Sequence, residues 1–203
     1  VVAAQMSRGR LEKTVAFGLS SVTHTLSKFS ADACLYMSQN FDFISFPKEL
    51  TTGSSIMPHK QNPDVFEVMR AKCNMVQNLP TEIMTITNNL TSGYHRDLQL
   101  LKQNLMDGID TTKECLEVCN FMLQHVIVQD NVLNNPIYEN IYSVENLNKL
   151  VMEGMSFRDA YKLLGEQIAN DEYIPHKEIT HTHEGSIGNL CLEEIKNKFN
   201  ANY

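Results

Sequence analysis

From Val15 the apolar residues fall at Val15, Leu19, Val22, Leu26, Phe29, Ala33 and Tyr36, in alternating steps of four and three. That period marks one face of an α-helix, and a stripe so narrow has the form of a coiled-coil seam. Between Tyr36 and Asn62 the period vanishes, and Gly53, Ser54, Ser55, Pro58 and Pro63 mark a long connection with only short ordered pieces near Phe41 to Phe46. Connections of that length inside a compact domain are usually functional. Asn62-Pro63-Asp64 then offers an N-cap, a proline at the first helical position and an acid in the first turn, which predicts a second helix. Its stripe runs through Phe66, Met69, Cys73 and Val76 to Ile83, with a kink expected at Pro80.

Ser92-Gly93 ends that helix, and a third is expected from about Asp97, with Leu98, Leu101, Leu105, Ile109, Leu116, Cys119, Leu123 and Val126 inward. Three long antiparallel helices imply a bundle. Asn134-Asn135-Pro136 is the clearest boundary, because the residue before a proline is pushed out of the helical region. The reading is therefore all-α, with a helical bundle over residues 1–135 and a small C-terminal helical domain over 136–203. In the second part shorter helices are expected at Glu145 to Met152, Phe157 to Ala169, Pro175 to Thr180 and Leu192 to Phe199.

Composition narrows the function. In a chain of 203 residues, 42% are hydrophobic, enough to build a core, and the formal net charge of −7 gives no basic field for nucleic acid. The longest apolar runs are far too short to cross a membrane, and the five cysteines lack the CxxC spacing of a metal site or redox pair. Free thiols fit a reducing compartment, so a cytoplasmic protein is expected, with no nucleic-acid or membrane partner.

The stretch richest in chemistry is the loop at 50–63, Thr51-Thr52-Gly53-Ser54-Ser55-Ile56-Met57-Pro58-His59-Lys60-Gln61-Asn62-Pro63. It sets two adjacent serines, a cation and an amide just before a helix N-terminus. Free backbone N–H groups and the positive helix end favour carboxylate or phosphate there. On composition alone the same residues also read as a polar connection in which Asn62 only caps the helix.

Gly53-Ser54-Ser55-x-Met57-Pro58-x-Lys60-x-Asn62-Pro63 resembles the signature loop of the fumarase, aspartase and argininosuccinate lyase superfamily, whose members eliminate fumarate from a succinyl-bearing substrate. The run Ser54 to Asp64 is most similar to the argininosuccinate lyase branch. Glu67, Arg70, the segment Ser92-Gly93-Tyr94-His95-Arg96-Asp97-Leu98-Gln99-Leu100-Leu101-Lys102 and the run Gly154 to Ala160 carry the likeness further. The chain departs from the branch in His95-Arg96 and Leu100-Leu101, where acidic residues often stand.

The resemblance implies roles. Ser54 matches the base that removes the proton beside the succinyl carboxylate, while Lys60 and Asn62 match the residues that bind the resulting aci-carboxylate. Ser55 belongs to the same substrate-binding loop. Glu67 matches a residue that pairs with an essential histidine from earlier in the lyase chain, and Tyr94, Gln99 and Lys102 match contacts to the rest of argininosuccinate. Without the resemblance, Glu67 is an ordinary first-turn acid and the other three are solvated polar residues. The family implies fumarate and arginine as products, no cofactor, and a homotetramer whose composite site draws on three subunits. Upstream segments with a Thr-His pair and an Asn-bearing Ser-Ser run have no counterpart in residues 1–203, so these residues are expected to be the C-terminal part of such a lyase and inactive alone. Other readings are a different fumarate-releasing lyase, acting on adenylosuccinate or an N-succinylated analogue, and a non-catalytic oligomeric helical module.

His176, His181, His183 and Glu184 form the densest His and acid cluster, but nothing fixes metal geometry, and no metal site is expected. Cys115 and Cys119 share a helix face and read as core, whereas Arg8 to Arg10 and Lys13 read as a solvated helix face.

Overall fold

A computed structural model describes residues 1–179 and 181–201. The described residues divide into two compact units, Val1–Asp130 and the segment from Asn131 onward. In the first, a short helix α1 (Val2–Met6) leads into the 27-residue α2 (Arg10–Tyr36), followed by α3 (Asp64–Gln77), α4 (Leu79–Ile86) and α5 (Leu101–Leu123). Among the described residues the strand content is one two-residue pair, β1 (Ile44–Ser45) with β2 (Ile127–Val128), antiparallel with Ile44 opposite Val128. It ties the start of the long connection to the end of α5, and the Gln129 side-chain amide adds a 2.9 Å hydrogen bond to Ser45 Oγ.

The helices meet along seams of small residues. On α2 the buried positions are Ala16, Thr23, Leu26, Ser30 and Ala33, with Leu19 half-buried between them. This seam shares Leu19, Leu26 and Ala33 with the apolar stripe seen in the sequence but takes Ala16, Thr23 and Ser30 in place of Val15, Val22 and Phe29; Val15, Val22 and Tyr36 are exposed. Small side chains win the interface because they let helix axes approach, while the bulkier Val and Tyr side chains stay at its edge. The buried hydroxyls are satisfied inside their own helices: Thr23 Oγ1 donates to Leu19 O at 2.9 Å and Ser30 Oγ to Leu26 O at 2.7 Å. On α3 the expected face, Phe66, Met69, Cys73 and Val76, is the buried one. On α5, Leu101, Gly108, Thr112, Cys115, Cys119 and Met122 face inward, whereas Leu116 and Leu123, expected inward, are exposed.

Two apolar clusters result. One gathers Leu26, Phe66, Met69, Cys73, Cys115 and Met122 beneath the long connection, with Phe46 against the Phe66 ring at 5.2 Å. The other gathers Ala16, Leu79, Ile83, Leu98 and Leu101 at the opposite end. The expected kink appears as a break at Asn78, with Pro80 in the first turn of α4, where its missing N–H costs nothing. At the crossing of α4 and α5, Gly108 has no room for a side chain: a Cβ there would stand 2.5 Å from Leu79 Cδ2.

In the second unit, Asn135 Oδ1 caps a 3-10 turn (Pro136–Tyr142) by accepting the Ile137 N–H at 3.1 Å. Helices α6 (Ser143–Met152), α7 (Phe157–Ala169) and α8 (Leu192–Ala201) follow. Leu147, Ala160 and Leu164 form the core between α6 and α7. The helix expected from Pro175 to Thr180 is not formed over 175–179, and Thr180 lies outside the described residues. That segment is instead tethered by the buried Asn146, whose Oδ1 accepts the His176 N–H at 2.9 Å and whose Nδ2 donates to Tyr142 O and Tyr173 Oη, each at 2.6 Å.

Candidate active site

The loop before α3 is built on Thr52. Its carbonyl accepts the Asn62 N–H at 2.8 Å, closing a bridge between the two legs, and its hydroxyl donates to Asp64 in the first turn of α3. Asn62 does not cap the helix as expected: Pro63 occupies that position. The Asn62 amide instead turns back into the loop, donating to Thr52 O at 3.2 Å and Gly53 O at 3.1 Å. Proline holds the chain extended at Asn62, and the amide finds nearer acceptors in the opposite leg.

At the head of the loop the half-buried Ser54 Oγ accepts two backbone N–H groups, from Ile56 and Met57, each at 3.2 Å. Two donors converging on a hydroxyl oxygen favour its deprotonated form over an unsupported hydroxyl. Ser55, His59, Lys60 and Gln61 are exposed, and Glu67 is an exposed acid in the first turn of α3. Cys34, near the end of α2, lies within electrostatic reach of both Glu67 and Arg70, and burial raises its thiol above the ordinary range.

Tyr94, Gln99 and Lys102 stand at the far end of the unit. The segment from Arg96 to Gln99 is a 3-10 turn leading into α5, and Gln99 Nε2 donates to Tyr94 Oη at 3.2 Å. Gln99 and Lys102 line one hollow of about 450 Å³, together with Arg8 and Glu12. The 14 residues of α3 and 8 of α4 lie between this end and the loop, a helical path of about 33 Å at 1.5 Å per residue. Ser54, Lys60, Asn62 and Glu67 are thus gathered at one end, and Tyr94, Gln99 and Lys102 at the other.

Arg8 escaped the sequence reading, which left it on a solvated face. It precedes Gly9, whose φ of +83° and close approach to Thr87 suit only glycine. Arg8 Nε lies 3.8 Å from Glu12 Oε1, and its Nη2 lies 3.5 Å from Leu98 O. A basic residue followed by glycine just before a helix was the one local signal available. Among the described residues no group of three or more His, Cys, Asp and Glu side chains is arranged to hold a metal ion. His181 instead faces Glu145 at 3.2 Å. No helix among them is long and apolar enough to cross a membrane.

The helical bundle and its serine loop are those of the fumarase/aspartase superfamily, to which the chain belongs. A family model described as a lyase matches residues 6–78. Within the superfamily its homologues are argininosuccinate lyases. That of Parabacteroides distasonis is 53% identical over 96% of this chain and 44% of its own length, and that of Bacteroides thetaiotaomicron is 51% identical with the same coverage. The Xylella fastidiosa argininosuccinate lyase is 34% identical over 98% of this chain and 45% of its own length. The chain therefore spans less than half the length of these relatives. Among solved structures, fumarate lyase:delta crystallin from Brucella melitensis superposes with a TM-score of 0.69 at 19% identity, over 84% of this chain and 38% of that one. The 3-carboxy-cis,cis-muconate lactonizing enzyme of Pseudomonas putida gives 0.67 at 20% identity, over 82% and 39%. These two likenesses show the fold.

Proposed function

We propose that the protein carrying this chain is a carbon–nitrogen lyase that eliminates fumarate from argininosuccinate and releases arginine, as a cytoplasmic step of arginine biosynthesis. The observation that carries the reading is the convergence of the Ile56 and Met57 N–H groups on Ser54 Oγ at 3.2 Å. Ser54 takes the proton beside the succinyl carboxylate, and the electron pair left on carbon is held as an aci-carboxylate by Lys60 and Asn62. For Asn62 to take part, its amide leaves the Thr52 and Gly53 carbonyls that it bonds in the loop. The carbon electron pair then forms the fumarate double bond as the C–N bond breaks and the nitrogen leaves with arginine. Stabilising such developing charge is commonly the largest catalytic term, with one donor worth about 2.7–4 kcal/mol.

Ser55 lies beside the base in the substrate loop, Glu67 orients a histidine supplied from elsewhere, and Tyr94, Gln99 and Lys102 hold the rest of the substrate. The roughly 33 Å of helix between the two groups argues that one site draws its halves from different copies, in a homotetramer. In this reading Val1–Asp130 is part of the central bundle domain and the segment from Asn131 onward is the small C-terminal domain.

The test is fumarate release, followed by ultraviolet absorbance, from the full-length protein and its Ser54→Ala variant. Losing a positioned base should lower the rate by about 10²- to 10⁴-fold. Equal rates would end the role given to Ser54, and no release by the unaltered protein would favour a non-catalytic helical module.

A further inference from the structure

Three hollows open around the start of α2. The first, about 450 Å³, is lined by Gln99 and Lys102; the second, about 390 Å³, by Gly93 and Tyr94; the third, about 180 Å³, by Thr91 and His95. Among the described residues one side chain, Arg8, lines all three. It borders both the hollow of Tyr94 and that of Gln99 and Lys102, where Tyr94 and Gln99 are themselves hydrogen-bonded. We propose that Arg8 is a substrate-recognition residue that seats the α-carboxylate of the amino-acid end of the substrate. This rests on the lyase reading above.

The charge arrangement points to a carboxylate. Arg8 and Lys102 place two cations on the first hollow against one acid, Glu12. Glu12 pairs with one edge of the guanidinium and leaves Lys102 as the second cation: one carboxylate oxygen accepts the Gly9 N–H at 2.8 Å, and the other lies 3.8 Å from Arg8 Nε. Together with the contact from Nη2 to Leu98 O, this anchors one side of the planar group, and the remaining N–H donors are left for a ligand. A guanidinium fixed in that way presents the paired donors that match a carboxylate, whereas lysine offers only a point charge. The Gly9 corner, whose left-handed backbone and close packing on Thr87 suit only glycine, sets Arg8 where α2 begins, so the fork is preorganised rather than recruited.

The experiment compares L-arginine with agmatine, which is arginine without its carboxylate, by calorimetric titration of the full-length protein. The unaltered protein should bind arginine more tightly than agmatine. In Arg8→Gln, arginine binding should weaken about tenfold or more, with agmatine unchanged, since only a charge-assisted hydrogen bond to the carboxylate is lost. Arg8→Lys, which keeps the charge but not the fork, should fall between the two and serves as the folded control if Arg8→Gln proves unstable. Equal weakening of both ligands, or no weakening of either, overturns the proposal, as does an unaltered protein without preference for arginine. Fumarate release is read separately. Absence of release with the arginine preference intact and dependent on Arg8 would overturn the lyase reaction while leaving the carboxylate seat standing.

Discussion

Replacing Gly108 by alanine sets two effects of known size against each other. In an exposed helix the change would stabilise α5 by about 1 kcal/mol, because glycine is the costlier residue to order. Here the new methyl would stand 2.5 Å from Leu79 Cδ2, at least 1 Å inside ordinary carbon–carbon contact of about 3.5–4.0 Å. Leu79 is buried against Ile83 and Leu101, so its side chain cannot swing away without disturbing that cluster. Overpacking of this kind costs about 1–3 kcal/mol. The net expectation is a loss of up to about 2 kcal/mol for Gly108→Ala. Leu79→Ala alone should cost about 2–5 kcal/mol through the cavity it leaves. In that background the clash is gone, and Gly108→Ala should become stabilising by about 1 kcal/mol. The four proteins form a double-mutant cycle, read from urea unfolding followed by helical circular dichroism, with an expected coupling of about 1–3 kcal/mol. If Gly108→Ala stabilises by the same amount in both backgrounds, the close approach of α4 and α5 does not govern this position and the reasoning is wrong.

Two further outcomes are expected. Burial pushes the Cys73 thiol from 9.0 up to about 12 and raises Cys115 and Cys119, so folding holds these thiols protonated. Their stabilisation is complete below the unfolded value of 9.0 and is lost as pH rises from there toward about 12; the urea midpoint should fall across that window, and a Cys73→Ala variant should show a shallower decline. In the second unit, Asn146→Ala leaves the part-buried His176 N–H without its acceptor, at a cost of about 0.5–1.5 kcal/mol. Hydrogen exchange at His176 should then quicken while α7 amides keep their protection, and unchanged exchange would refute the tether.

The positions of the helices were legible wherever a stripe of large apolar residues coincided with the buried face. On α3 that face is Phe66, Met69, Cys73 and Val76, and the pattern identified it. On α2 it identified Leu26 and Ala33 but put Val15, Val22 and Tyr36 inward in error, because close helix packing selects Ala16, Thr23 and Ser30, small and partly polar residues to which hydrophobicity gives little weight. The serine loop was legible as a motif, but its internal economy was not. Asn62 looked like a cap because Asn commonly is one, and only the geometry of the opposite leg, with the Thr52 and Gly53 carbonyls in reach, draws its amide away. Arg8 was hidden for a related reason: a lone arginine near other charges is uninformative until the chain brings Tyr94, Gln99 and Lys102 around it.

The hydroxyls buried between the helices have a consequence for how the sequence can change over time. Thr23, Ser30 and, on α5, Thr112 each donate to a carbonyl one turn back in their own helix, Thr112 to Gly108 O at 2.7 Å. Those carbonyls remain acceptors of the helical N–H groups, so exchanging a hydroxyl for a methyl of similar size orphans nothing on the facing helix. Cross-helix polar links run instead through other residues at exposed or part-buried edges, Ser27 with Asn74, Lys72 with Glu114, Ser20 with Gln77 and Asn104 with Glu82. Drift inside the seam can therefore proceed one residue at a time, without a matching change across the interface, while the fit of small shapes is kept.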